Sequence, residues 1–228
     1  MNGHKTIAID GPSGAGKSSL ARRTASHFGF IYVDTGAIYR CVGLAAFRLG
    51  VDTRDAEAVQ AILPGLEIRM VYNEAGEQRM MLGGEDVSTD IRLPEISICA
   101  SNVSAHAAVR AFLLEMQRKM ARENDVIMDG RDIGTVVLPD AELKIYLTAS
   151  AQARAQRRLL ELLAKGIDTS FDEVLKDIEL RDYQDTHRSE APLRRAEDAV
   201  LLDTTELDIE QSFAAICKLI SDRFSIEA

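Results

Sequence analysis

Residues Gly11-Pro12-Ser13-Gly14-Ala15-Gly16-Lys17-Ser18 fit the pattern G-x-x-x-x-G-K-[ST] at every fixed position, and few local patterns restrict a fold as strongly. Glycines let backbone N–H groups close on a polyphosphate, and the helix that follows turns its positive end toward the same anion. Lys17 adds a mobile charge, and the Ser18 hydroxyl is placed to ligate a magnesium ion bridging the outer phosphates. The flanks agree with this reading. Lys5-Thr6-Ile7-Ala8-Ile9-Asp10 is an apolar, β-branched run that predicts a buried parallel strand. Ser19 to Phe28 puts Leu20, Ala21, Thr24, Ala25 and Phe28 on one helical face, with Gly29 at the capping position. The stretch from Gly11 through Ser19 is therefore expected to cradle phosphates, but switches, motors and kinases share such a loop.

Bulk properties narrow the field. The 228 residues are 46% hydrophobic and 28% charged, enough for one large core, and one domain is the default expectation. A net charge of −9 argues against a nucleic-acid polymer as partner, since such binding needs a basic surface. The three cysteines, Cys41, Cys99 and Cys217, are far apart in apolar helical patterns and predict buried thiols in a reducing compartment. The chain runs straight into a strand with no basic-apolar-small leader, and no apolar run reaches bilayer length, so it is expected to be cytoplasmic and away from membranes.

Along the chain, strands alternate with helices, which implies a parallel sheet covered on both faces. Phe30–Val33 is a second strand, Ala37–Leu49 a helix, and Asp55–Leu63 a shorter helix broken by Pro64-Gly65. Leu66–Met70 and Gln78–Leu82 read as a small antiparallel hairpin turning at Asn73-Glu74-Ala75-Gly76. Two helices follow, joined near Ala105-His106; in the second, Val109, Phe112, Leu113, Met116 and Met120 repeat as core filling. Strands at Asp125–Met128, Leu143–Leu147 and Ala199–Leu202 complete the alternation, and a final helix carries Ile209, Phe213, Ile216 and Ile220.

Three clusters beyond the loop carry chemistry. At Asp34-Thr35-Gly36, with Arg40 one helical turn on, a hydroxyl and a guanidinium fork can hold a phosphate; helix capping by Asp34 or Thr35 is the alternative. Asp129-Gly130-Arg131-Asp132 packs two acids and an arginine at a strand end, where Asp129 is the candidate to meet magnesium through water. From Ser150 a basic helix places Arg154, Arg157 and Arg158 at i, i+3, i+4, and Lys165-Gly166 closes it. Ser170-Phe171-Asp172-Glu173 then starts a helix on which Arg181, Asp185 and Arg188 share a face. A solvated surface balanced by Glu161, Asp172 and Glu179 is one reading of these arginines; a lid hinged near Gly166 is the other.

Together the motifs resemble the bacterial cytidylate kinases of the nucleoside monophosphate kinase group. The segments are Ile9–Lys17, Asp34–Arg40, Gly83–Val87 with Ile91-Arg92, Asp129–Val137, and Arg181-Asp182 through Arg188 to Leu193. The resemblance implies a P-loop kinase three-layer α/β fold: a parallel sheet flanked by helices, a small β-containing monophosphate-binding insert (about residues 36–105) and a helical arginine-rich lid (about 154–190). It also implies transfer of the γ-phosphoryl of ATP to CMP or dCMP with Mg²⁺. Nothing in the sequence demands more than a monomer. By that similarity Arg40 and Arg131 hold the acceptor phosphate beside Thr35. Ser101, Arg110 and Asp132 meet the cytosine, and Asp185 and Arg188 reach the pentose. Lys17 and Arg131 serve the transferred group, and lid arginines such as Arg154, Arg158 and Arg181 converge on it, with Arg157 beside them on the lid. A GTP-hydrolysing switch would need D-x-x-G and N-K-x-D motifs, and the chain has neither. Kinases of another small acceptor differ in the base-reading set.

Overall fold

The computed structural model describes residues 4–74, 77–164 and 166–227. The chain divides into two compact units: residues up to Tyr32 with those from Glu123 onward, and Val33–Arg122. In chain order the elements are β1 (Thr6–Asp10), α1 (Lys17–Phe28), β2 (Ile31–Asp34), α2 (Thr35–Arg48), α3 (Ala56–Ile62), β3 (Ile68–Tyr72), β4 (Gln78–Leu82), β5 (Glu85–Asp86), α4 (Pro94–Val103) and α5 (Ala107–Glu123). There follow β6 (Val126–Gly130), β7 (Leu143–Thr148), α6 (Ala151–Ala164), α7 (Phe171–His187), β8 (Val200–Asp203) and α8 (Ile209–Phe224).

The main sheet has the order β2-β6-β1-β7-β8. Pairings of β1 with β6 and β7, and of β7 with β8, are parallel, as the alternation of strands and helices predicts. Ile7 and Ile9 of β1, Ile127 of β6 and Ile145 and Leu147 of β7 form one core with Leu20, Ala21 and Ala25 of α1 and Ile216 and Ile220 of α8. The run of β-branched residues in β1 is thus buried on a central strand. Its carboxyl end delivers Asp10 and the glycine loop to the rim of the sheet, where ligands bind in parallel α/β architectures. A separate cluster of Ala155, Val174 and Ile178 joins α6 to α7. Helix α7 begins with the expected capping box, in which the Ser170 hydroxyl accepts from the Glu173 N–H while the Glu173 carboxylate accepts from the Ser170 N–H.

In the second unit β3 and β4 pair antiparallel, with Ile68 opposite Leu82, and β5 adds a third strand. This last strand was not foreseen, because two exposed acids carry no apolar alternation. Residues 75 and 76 of the expected turn lie outside the described residues, as does Lys165. Three further expectations are corrected. On α5 the buried row is Val109, Leu113, Gln117 and Ala121, in steps of four; Met116 and Met120 sit beside it, half-buried. Cys41 and Cys217 are buried free thiols but Cys99 is half-buried, and Ile209 opens α8 exposed rather than on its apolar face. Among the described residues no single helix is long and apolar enough to cross a membrane.

Candidate active site

The loop after β1 takes its shape from backbone that only glycine fits. Gly11 has φ 152°, and a Cβ there would stand 1.9 Å from the Leu147 carbonyl oxygen of β7. Behind the loop, Gly16 leads directly into α1, so the first free N–H groups of that helix face the cradle. The Lys17 ammonium donates to the Pro12 carbonyl at 2.7 Å, folding back along the loop. Its burial, with Arg131 close by, pulls it down to about 7 against the opposing pull of Asp129, Asp185 and Asp10. A bound polyphosphate would reverse that balance and keep the group charged.

Ser18 and Asp129, far apart in sequence, meet at 2.7 Å, with the hydroxyl donating to Oδ2. The other oxygen of Asp129 accepts from the Tyr32 hydroxyl at 3.0 Å. Next along the same loop, Arg131 donates from Nε to Asp185 at 2.6 Å, and the Arg188 guanidinium lies 3.5 Å from Asp132. Arg188 also clamps the Ala191 carbonyl with two N–H groups, and Ala191 holds the left-handed backbone, φ 45°. Two acid–arginine pairs thus stand side by side on the residues that follow β6.

In the second unit the expected cluster at the start of α2 is centred on a buried carboxylate. Asp34 caps the helix by accepting from the Ala37 N–H at 2.9 Å, and it also accepts from Arg92 at 2.8 Å, with Arg40 3.7 Å away. Burial alone would raise its carboxyl, but Arg40, Arg92 and the Ala37 N–H outweigh that and hold it below the usual range. Thr35 is buried in the first turn of α2. Arg110 of α5 donates to the Ser104 carbonyl and lies 5.5 Å from the Tyr39 ring centroid. Ser101 sits half-buried on α4.

Residues 7–222 match the sequence pattern of the family described as cytidylate kinase. The chain belongs to the cytidylate kinase family. It is 48% identical over 223 residues to the cytidylate kinase of Syntrophotalea carbinolica, covering 98% of this chain and 94% of that one. The cytidylate kinase of Lactobacillus johnsonii is 48% identical over 217 residues, covering 95% and 94%. An uncharacterized protein from Eubacterium ventriosum, at 14% identity and a TM-score of 0.51 over 96% of this chain and 100% of that one, shares the fold.

Within this cytidylate kinase framework the three arginines of α6 do different things. Arg154 is buried: it donates to the Ser13 carbonyl of the phosphate loop at 2.9 Å and forks onto Asp182 of α7 at 3.1 and 2.6 Å. Arg157 turns to the Thr204 hydroxyl and to the carbonyls of Thr204 and Leu207. Arg158 pairs on the surface with Glu161 at 3.0 Å. One helical face was legible from spacing; the partners, drawn from distant segments, were not. Arg181 is exposed on α7. Arg188 is corrected in placement: it lies past the end of α7 in extended conformation, φ −62° and ψ 145°, and so does not share the helical face of Arg181 and Asp185. Residue-by-residue reading did not single out Asp10, Tyr32, Arg92 or Asp182 for the site. Asp10, Arg92 and Asp182 had a signal, since each lies in a segment of the family pattern; Tyr32 shows itself only through its contact with Asp129.

Proposed function

We propose that this chain transfers the γ-phosphoryl group of ATP to CMP or dCMP, giving ADP and CDP or dCDP. The observation that carries the reading is 48% identity to a cytidylate kinase across 98% of the chain, with the phosphate loop intact. Gly11 through Ser19 then cradle the donor phosphates, and Lys17 follows the charge that moves toward the leaving oxygen. Ser18 would hold Mg²⁺ directly and Asp129 through water; the ion supplies charge neutralisation at the outer phosphates. Their contact at 2.7 Å fits a hydroxyl and a carboxylate serving one cation. Among the described residues no group of three or more His, Cys, Asp or Glu side chains could hold a metal.

The first unit supplies Arg131 for the acceptor phosphate, Asp132 for the cytosine amino group, and Asp185 and Arg188 for the pentose. The second supplies Thr35 and Arg40 for the phosphate, and Ser101 and Arg110 for the base. A carboxylate that accepts from an amino donor favours cytosine over uracil, which lacks that donor. The hairpin of α6 and α7 acts as the lid, with Arg158 and Arg181 free enough of the core to approach a phosphoryl in transit while Arg154 and Arg157 tie the hairpin down. Residues 36–105 form the monophosphate-binding part of a single kinase domain that works as a cytoplasmic monomer. The decisive test is a coupled assay of diphosphate formation from Mg-ATP with CMP, dCMP, UMP, AMP, shikimate and no acceptor. Strong turnover of CMP and dCMP alone is the expected outcome; turnover without acceptor, or equal use of UMP, overturns the reading.

A further inference from the structure

Strand β1 is apolar until its last residue, Asp10, a carboxylate only 5% exposed. Burying an ionisable group there is costly unless its oxygens are satisfied, so the partners it has found reveal what it does. Oδ1 accepts from the Ile133 N–H at 2.8 Å and Oδ2 from the Gly134 N–H at 2.7 Å. These are the first two amides of a single π-helical turn, Ile133–Val137, whose N-cap is Asp132. In the parallel ladder Asp10 stands beside Gly130, the last residue of β6. The chain is therefore fixed at Gly130 by the sheet and at Ile133 by the carboxylate. Only Arg131 and Asp132 lie between these two anchors.

We infer that Asp10 is a positioning residue for the acceptor nucleotide: by holding the Ile133 and Gly134 amides it sets the backbone from which Arg131 and Asp132 project. The role rests on the reading of those two residues as acceptor groups. Their side chains are oriented from one direction by Asp185 and Arg188, and the backbone beneath them from the other by Asp10. Although Asp10 directly precedes the phosphate loop, its carboxylate hydrogen bonds go to the π turn and not to Gly11–Ser18. Its hydrogen bonds therefore act on the acceptor side, while its charge also reaches Lys17. The groups that face it are Asp132, which repels its charge, and Lys17, Arg131 and the two amides, which favour it; Tyr146 of β7 also stands near. Burial, the largest effect, lifts the carboxyl to about 6, so near neutral pH it is ionised and accepts both amides.

The test is Asp10→Asn, which keeps the shape but can satisfy only one of the two N–H groups and turns its own amide on the other. KM for CMP should rise by about tenfold or more, as expected for losing one bond to a charged acceptor, while ATP affinity by equilibrium dialysis stays within about twofold. Equal losses of ATP and CMP binding would mean general damage to the strand and would overturn the role, as would an unchanged KM. Arg131→Lys, measured in parallel, separates the two levels. If Arg131→Lys leaves KM for CMP unchanged, the acceptor assignment fails first. If it raises KM while Asp10→Asn does not, only the positioning role fails. A readout on the unmutated chain guards against a variant that does not fold. The Ile133 and Gly134 amide protons should exchange slowly with solvent, as amides held by a buried carboxylate do, and fast exchange at both would also overturn the role.

Discussion

At the scale of single residues, this molecule spends its buried charges on holding backbone and guanidinium groups in place. Asp34 shows the energetics. Its carboxyl is held below the ordinary range by Arg40, Arg92 and the Ala37 amide in spite of burial. A carboxyl depressed on folding adds stability above its unfolded value, roughly 3.9, and loses it as pH falls through the lower folded value. Asp34→Asn should therefore cost about 2 kcal/mol in urea denaturation at neutral pH, because the amide oxygen can still cap the helix but the charge that pairs with Arg40 and Arg92 is lost. The difference between variant and parent should shrink as pH is taken below about 4; a constant difference would show that the charge is not what matters. Residues of this kind were only half legible. Lys17 and Ser18 could be read because the loop pattern dictates their chemistry over eight consecutive positions. The meeting of Asp34 with Arg92, 58 residues on, depends on how the chain returns, and no local pattern encodes it.

Elements followed from the sequence wherever periodicity or a cap announced them: α1 between the loop and Gly29, α7 from its capping box, and β3 and β4 from their alternation. The π turn after β6 and the two-residue β5 escaped because neither is long enough to show a period. How elements approach each other depends on single side chains that a pattern passes over, and the crossing of α2 with α4 is an example. Gly43 lies within α2, and a Cβ there would come 2.9 Å from the Ala100 nitrogen and 3.1 Å from the Cys99 carbonyl carbon of α4. Helix propensity alone predicts that Gly43→Ala stabilises by up to about 1 kcal/mol. Two of the atoms it would meet are backbone, and backbone does not swing aside as a side-chain tip does. We expect a net loss of about 1–3 kcal/mol in denaturant melts, because the helices must part and forfeit the packing of Ile38, Val42, Ile96 and Val103. A stabilised variant would mean the two helices separate at little cost.

For the whole molecule, alternation of strands and helices was enough to foresee a parallel sheet, whereas the order β2-β6-β1-β7-β8 was not readable. The strands that follow β1 in sequence are all short apolar runs, and nothing local tells which of them lies beside it. The order has a kinetic consequence. In the ladder Thr6 lies beside Val126, with all of Val33–Arg122 between them in sequence, while β3 and β4 pair from Tyr72 and Gln78, close together in sequence. Since closure entropy grows with the logarithm of loop length, bringing β1 to β6 costs roughly 2–3 kcal/mol more than closing the hairpin. Non-local parallel pairing of this kind slows folding. In pulse-labelled hydrogen exchange during refolding, the β3–β4 amides should therefore gain protection before those of β1 and β6. The difference should persist when refolding is started with ATP present, because the phosphate loop packs against the Leu147 carbonyl of β7 and so depends on that strand pairing with β1. Simultaneous protection of all four strands would instead make the two units one cooperative folding unit, with the central strand pair formed in the same step as the hairpin.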